Sequence, residues 1–246
     1  MREALKLQKQ TFGMHHAVTA QCINDLAVLL YQTGRYDEAL SLYRQALPIY
    51  REVFGAEHPE VATIINNIGR SGLMAGHVDE VEQPLRQSLA MTEKFSGDSH
   101  DDLVSPLNSL AMVDAYYGRL GAAQREIERA ESIARLPGHG DLLDQVLLNE
   151  ADLALAQGDR ERAAALLAES KALLQKAHPM NAGDAWRYAV WDAVNAQLLA
   201  ANGDPAGGVK MLDAAQAVII RRFGEKGFYN LLAKRRAVLM ANVRKS

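Results

Sequence analysis

The 246 residues carry 27 Lys and Arg against 30 Asp and Glu, and a net charge of −3 with a pI near 6.2 gives no general field to attract phosphate backbones or anionic lipid. A hydrophobic fraction of 48% is enough to bury a core and too high for a disordered tail, and the single cysteine, Cys22, excludes an intramolecular disulfide or a paired metal-thiolate site. No apolar run approaches the ~20 residues that span a bilayer, so no membrane contact and a cytoplasmic, reducing location are expected.

In chain order, residues 1–13 read as a lone helix, because Ala4 begins a column that continues at Ala46, Ser88 and Ala130 in 42-residue steps. That column belongs to the second helix of a two-helix repeat. Helical hairpins are predicted at 16–54, 59–96, 101–136, 141–176 and 184–222, and a closing helix at 227–243, all within one elongated domain. Gly34, Gly76 and Gly118 keep the 42-residue step, and Gly158 and Gly203 follow after 40 and 45. Glycine enters the left-handed region without a Cβ penalty, so these positions mark the turn inside each hairpin. Seven residues earlier stand Ala27, Gly69, Ala111, Ala151 and Ala196, and five later Ala39, Val81, Ala123, Ala163 and Gly208. Small side chains there let paired helices approach closely. Nine residues after each glycine come Tyr43, Leu85, Ile127, Leu167 and Leu212, followed three further on by Ala46, Ser88, Ala130, Ser170 and Ala215, a large-then-small ridge. Between the landmarks the apolar residues recur with helical period, as in Ile23, Leu26, Ala27 and Leu30, and strand-like alternation is missing. The fold class is all-α.

The stretches Gly34-Arg35-Tyr36-Asp37-Glu38-Ala39, Leu42-Tyr43-Arg44-Gln45-Ala46-Leu47 and Asn66-Asn67-Ile68-Gly69 resemble tetratricopeptide repeats. The period exceeds the family's usual 34 by about two helical turns. It is similar to the kinesin light chain type of repeat, which is also found in bacterial proteins. The resemblance is strong over 1–130 and weaker over 131–222. It implies a superhelical solenoid of stacked antiparallel helix pairs with first helices lining the concave face. It further implies recognition of extended peptides or partner proteins, without catalysis and without a cofactor.

The column His16, His58 and His100 invites a metal reading, but equivalent positions in stacked repeats are separated by at least a helix-packing distance of about 8–10 Å, whereas zinc ligands lie near 2 Å. These histidines are expected to prepare helix starts, and no metal site is expected. Cys22 is expected to be a buried, inert thiol. Gly138-His139-Gly140-Asp141 and Gly203-Asp204-Pro205-Ala206-Gly207-Gly208 follow no strand and lack the lysine of a phosphate loop, so they read as turns. Asp114 falls on the packed face of a first helix and needs a cationic partner, Arg119 or Arg125. Trp186, Tyr188 and Trp191 read as terminal core packing, with a partner patch as the alternative. The closing segment carries Lys226, Lys234, Arg235, Arg236, Arg244 and Lys245 and no acid, which suits a solubilising cap, or else a basic tip for an acidic partner or RNA.

Helical geometry places Asn24 with Val28 and Tyr31, Asn66 with Arg70, and Asn108 with Met112 and Tyr116 on the face next to the packed one. The predicted peptide-binding groove consists of these residues without Val28, together with Asn67. The asparagines Asn24, Asn66 and Asn108 can hydrogen-bond a peptide backbone, and the alternative is that they tie adjacent helices together. Other readings are a regulatory or sensory segment of a larger signalling protein, or an RNA-binding array. Because the first helix lacks its partner, the chain is expected to belong to a longer polypeptide or to pack against a copy of itself.

Overall fold

All regular structure among the described residues, 2–179 and 183–243 of this computed structural model, is helical. Contacts divide it into two compact units, residues 1–109 and 110–246. The first contains α1 (Arg2–Phe12), α2 (Ala17–Gln32), α3 (Tyr36–Phe54), α4 (Pro59–Ala75) and α5 (Val78–Ser96), and the division falls inside α6 (Val104–Tyr116). The second continues with α7 (Leu120–Ala134), α8 (Leu143–Gln157), α9 (Arg160–Ala177), α10 (Ala185–Ala201), α11 (Pro205–Phe223) and α12 (Phe228–Val243).

In the first unit α2 packs on α3 and α4 on α5, and α3 against α4 joins the hairpins. The histidine column starts the first helices. His16, His58 and His100 have extended or near-extended backbones, and each Nδ1 accepts the backbone N–H two residues on, from Val18 at 3.2 Å, Glu60 at 3.2 Å and Asp102 at 3.3 Å. A side-chain acceptor at this position satisfies one of the N–H groups that a helix start leaves open. Pro59 fits the same start because its missing N–H costs nothing there. The rings of Phe12 and Phe54 stack on His16 and His58 at 4.9 Å, joining the end of one helix to the start of the next. α1 packs on α2 and leaves Leu7 and Phe12 exposed.

The five hairpin glycines all have φ between 76° and 98°. At Gly76 the turn is a left-handed cap, with its N–H bonded back to Leu73 and that of His77 to Gly72. The ridge is buried throughout: Tyr43, Leu85, Ile127, Leu167 and Leu212 are each at most 2% exposed. Gly69 allows the approach of α5, since a Cβ there would lie 2.6 Å from Leu85 Cδ2. The two serines of the small column use their hydroxyls, with Ser88 Oγ donating to the Ala62 carbonyl at 3.0 Å and Ser170 Oγ to that of Asp144 at 2.8 Å. Each hydroxyl thereby links a second helix to its first, and neither is a buried polar group left open.

In the second unit α8 pairs with α9 and α10 with α11, while α12 contacts both α10 and α11. Here Arg236 departs from the expected polar cap, whereas Lys226 and Lys234 are exposed. Phe228, Tyr229, Asn230, Ala233 and Arg236 of α12 are all buried. Their spacing makes one inward face, and Arg236 ends there because an acidic side chain, Asp152 of α8, meets it at 2.8 Å. Arg244 and Lys245 lie outside the described residues. Tyr188 and Trp191 belong to the core, with Trp191 Nε1 donating to the Leu167 carbonyl at 3.1 Å and Lys171 Nζ 4.0 Å over its ring. Trp186 is half-buried, with the guanidinium groups of Arg187 and Arg222 at 4.5 and 5.3 Å from the centre of its ring. No helix among the described residues is long and apolar enough to cross a membrane.

Candidate functional site

The groove positions of the first unit come from three first-type helices. On α2, Asn24 and Tyr31 are half-buried, as are Asn66, Asn67 and Arg70 on α4. The Arg70 guanidinium lies 5.1 Å from the centre of the Tyr31 ring and reaches its hydroxyl at 3.4 Å, while Tyr36 meets the same ring edge-on at 5.2 Å. Cation–π contact with a phenol ring holds the guanidinium in place while leaving N–H donors for another acceptor. The next step is made by Asn66, whose Nδ2 donates to Ser105 Oγ of α6 at 3.2 Å. Neighbouring first helices are thus linked side chain to side chain, α2 to α4 and α4 to α6.

Beneath this layer burial pushes the Tyr43 phenol well above its usual range, with Arg70 pulling it partly back. Tyr50 is raised to about 12, chiefly by burial, and donates to Gln21 at 3.0 Å. Both stay neutral, so neither phenol sets a negative charge beside Arg70. The Oδ1 atoms of Asn24 and Asn66 are buried and have no hydrogen-bond partner among the described residues. Two acceptors at equivalent positions of successive repeats are therefore unsatisfied, a cost of about 1–3 kcal/mol each unless something donates to them.

Asn108 and Met112 differ from the expected open position, being only 8% and 7% exposed. The helical wheel placed them beside the packed face, but α6 is covered on that side as well, from Leu107 to Val113. Met112 and the half-buried Tyr116 lie in the second unit and line a cavity there. Asp114 is fully buried on the same helix and accepts from Arg119 Nε at 2.5 Å, one of the two partners foreseen. Cys22 is a half-buried free thiol packed against the core of the first unit. His100, Asp101 and Asp102 bring three ligand-type atoms within 4.8 Å, all exposed on one helix-capping turn.

The cavity involves residues that the sequence reading did not single out. Asp152 accepts from Gln197 Nε2 at 2.7 Å and from Arg236 Nη2 at 2.8 Å. A signal for two of them was present: Val28, Arg70, Met112, Asp152 and Gln197 all stand six residues before a hairpin glycine. Following that column past the third hairpin finds Asp152 and Gln197. Nothing periodic points to Arg236.

The profile of the tetratricopeptide repeat matches residues 1–52 and 23–94. No curated protein sequence matches the chain. Among solved structures, BtubC (BKLC) from P. vanneervenii is similar with a TM-score of 0.61 at 19% identity, covering 88% of this chain and 85% of that one. A putative kinesin light chain from Podosopora anserina, with nearly identical repeats, gives 0.57 at 20% identity over 82% and 94%. A Rap protein complexed with competence and sporulation factor gives 0.59 at 11% identity over 92% of this chain and 64% of its own. At these identities the likeness concerns the fold. With glycine turns, small-residue contacts and buried ridges in place, the fold is that of stacked tetratricopeptide repeats, and the family profile matches the first hairpins within residues 1–94.

Proposed function

We propose that the chain is a binding scaffold whose first unit holds an extended peptide, or an extended segment of a protein, along Asn24, Tyr31, Asn66, Asn67 and Arg70. The observation that carries this reading is the pair of buried, unsatisfied amide oxygens of Asn24 and Asn66, in register on successive first helices. A peptide backbone supplies N–H donors at regular intervals and would meet both without demanding a particular sequence. Arg70, steadied by Tyr31, adds a contact to a carboxylate or carbonyl of the peptide. The alternative role for the asparagines, tying helices together, is served at the same time by Asn66 through Ser105. The Rap protein was solved complexed with competence and sporulation factor, which supports reading this fold as one that binds a partner. Asn108, Met112 and Tyr116 are left out of the proposed groove because two of them are buried and Met112 and Tyr116 face the cavity of the second unit.

The test is selection of peptides from a displayed random library on the full chain, followed by calorimetry of the enriched peptide on wild type, Asn66→Ala and Arg70→Ala. The reading expects roughly tenfold weaker binding for each variant at a melting temperature close to wild type. Enrichment of nothing, or peptides that bind both variants as well as wild type, would contradict it.

A further inference from the structure

We propose that the second unit contains a binding site for a small monocarboxylate with an apolar body. The site is a cavity of about 420 Å³, within the range of roughly 300–1,000 Å³ typical of small-molecule pockets. Met112, Ile127, Leu153 and Leu232 give it apolar walls from four different helices. Its polar edge is the Asp152, Gln197 and Arg236 cluster, with Asn149 beside it.

The hydrogen-bond inventory of that cluster defines what fits. Both Asp152 oxygens already accept, one from Gln197 and the other from Arg236. Arg236 is 5% exposed, and its Nη1 is buried with no hydrogen-bond partner among the described residues. The unspent capacity is thus a guanidinium donor, which calls for an anionic or strongly polar acceptor. Asp152 already offsets the Arg236 charge, so among anionic ligands a phosphate dianion would leave the buried site with two negative charges and one carboxylate with only one. The apolar walls require the remainder of the ligand to be hydrocarbon. α12 supplies Leu232 and Arg236 across the same column of first-helix positions that holds Met112, Asp152 and Gln197. With that column covered, the site suits a compact molecule and not a continuous peptide strand. It is independent of the groove of the first unit.

The experiment is titration of the full chain with decanoate and with phenylbutyrate, using decanol, acetate and a peptide ending in a free Leu carboxylate as comparisons. One of the two acids is expected to bind with a single site and a Kd below about 100 μM, with decanol and acetate at least roughly tenfold weaker. Ala156→Phe places a ring at the exposed edge of the cavity and should abolish binding at unchanged melting temperature. Arg236→Lys keeps the charge but loses the fork and should weaken binding roughly tenfold or more. Should Arg236→Lys fail to fold, Ala156→Phe still decides. Absence of binding by both acids at about 1 mM, equal binding of decanol, indifference to Ala156→Phe, or a peptide that matches the acids would each overturn the proposal.

Discussion

The two units use the same repeat positions for different ends. In the first, the position six residues before the hairpin glycine holds Val28 and Arg70, and Arg70 rests half-buried on the Tyr31 ring. In the second it holds Met112, Asp152 and Gln197, and α12 brings Arg236 onto Asp152. The column is half-buried in both units except at Met112, but in the second a further helix crosses it and adds a guanidinium. The comparison teaches that the scaffold fixes where a side chain stands, while the element lying over it decides whether that place is a groove or a cavity.

Core removal should give the largest effect and fall on either unit alike. Leu85→Ala in the first and Leu167→Ala in the second are each expected to cost about 2–5 kcal/mol in urea unfolding, because both are at most 2% exposed between paired helices. Values well under 1 kcal/mol would break the account of the ridge. Polar truncation should instead separate the units. Arg236→Ala leaves a carboxylate in the second unit without its cation and is expected to cost about 3 kcal/mol, whereas Arg70→Ala, removing a half-buried cation–π contact, should cost under about 1 kcal/mol. Equal effects would remove the distinction between groove and cavity.

A pH dependence should follow the same division. Burial raises the carboxyls of Asp144, Glu150 and Asp192 above their ordinary range, with the Glu131 charge adding to the effect at Glu150, and all three lie in the second unit. A raised folded-state pKa means that the native state holds protons which the unfolded state has released. The second unit should therefore be most stable below the ordinary carboxylate pKa of about 4 and lose that contribution as pH rises through the raised values. Net protein charge at acid pH works against this at the extreme, so the comparison is Asp192→Asn against wild type. Both tryptophans, Trp186 and Trp191, lie in the second unit, so tryptophan fluorescence follows its unfolding alone. Asp192→Asn should flatten the fall in melting temperature between mildly acid and neutral pH, and an unchanged slope would contradict the assignment. The smallest effect belongs to the caps: His58→Ala should cost about 1 kcal/mol by loss of the bond to the Glu60 N–H, measurable as a lowered urea midpoint.

Much of this was legible because repetition turns a weak local signal into a column. One glycine is ambiguous, but five at near-equal steps mark the turns, and each has positive φ. The same holds for the capping histidines and for the ridge from Tyr43 to Leu212. Asp114 was readable as a buried carboxylate needing an arginine, and Arg119 provides it five residues on, in local sequence. What the columns did not carry was contact between elements outside the repeat. Arg236 counts as a surface base in composition, and only the packing of α12 turns it toward Asp152, far away in sequence. Asn108 shares its column with Asn24 and Asn66, yet burial depends on what covers α6, which periodicity does not encode.

The most direct measurement is the affinity of a library-selected peptide for the Asn24→Ala, Asn66→Ala double variant, with melting temperature recorded on the same samples. The account predicts a loss of roughly tenfold or more while stability changes little, because removing two buried oxygens that lack a partner offsets the lost hydrogen bond from Asn66 to Ser105. Undiminished peptide affinity together with a lowered melting temperature would contradict it, leaving these asparagines as struts between helices.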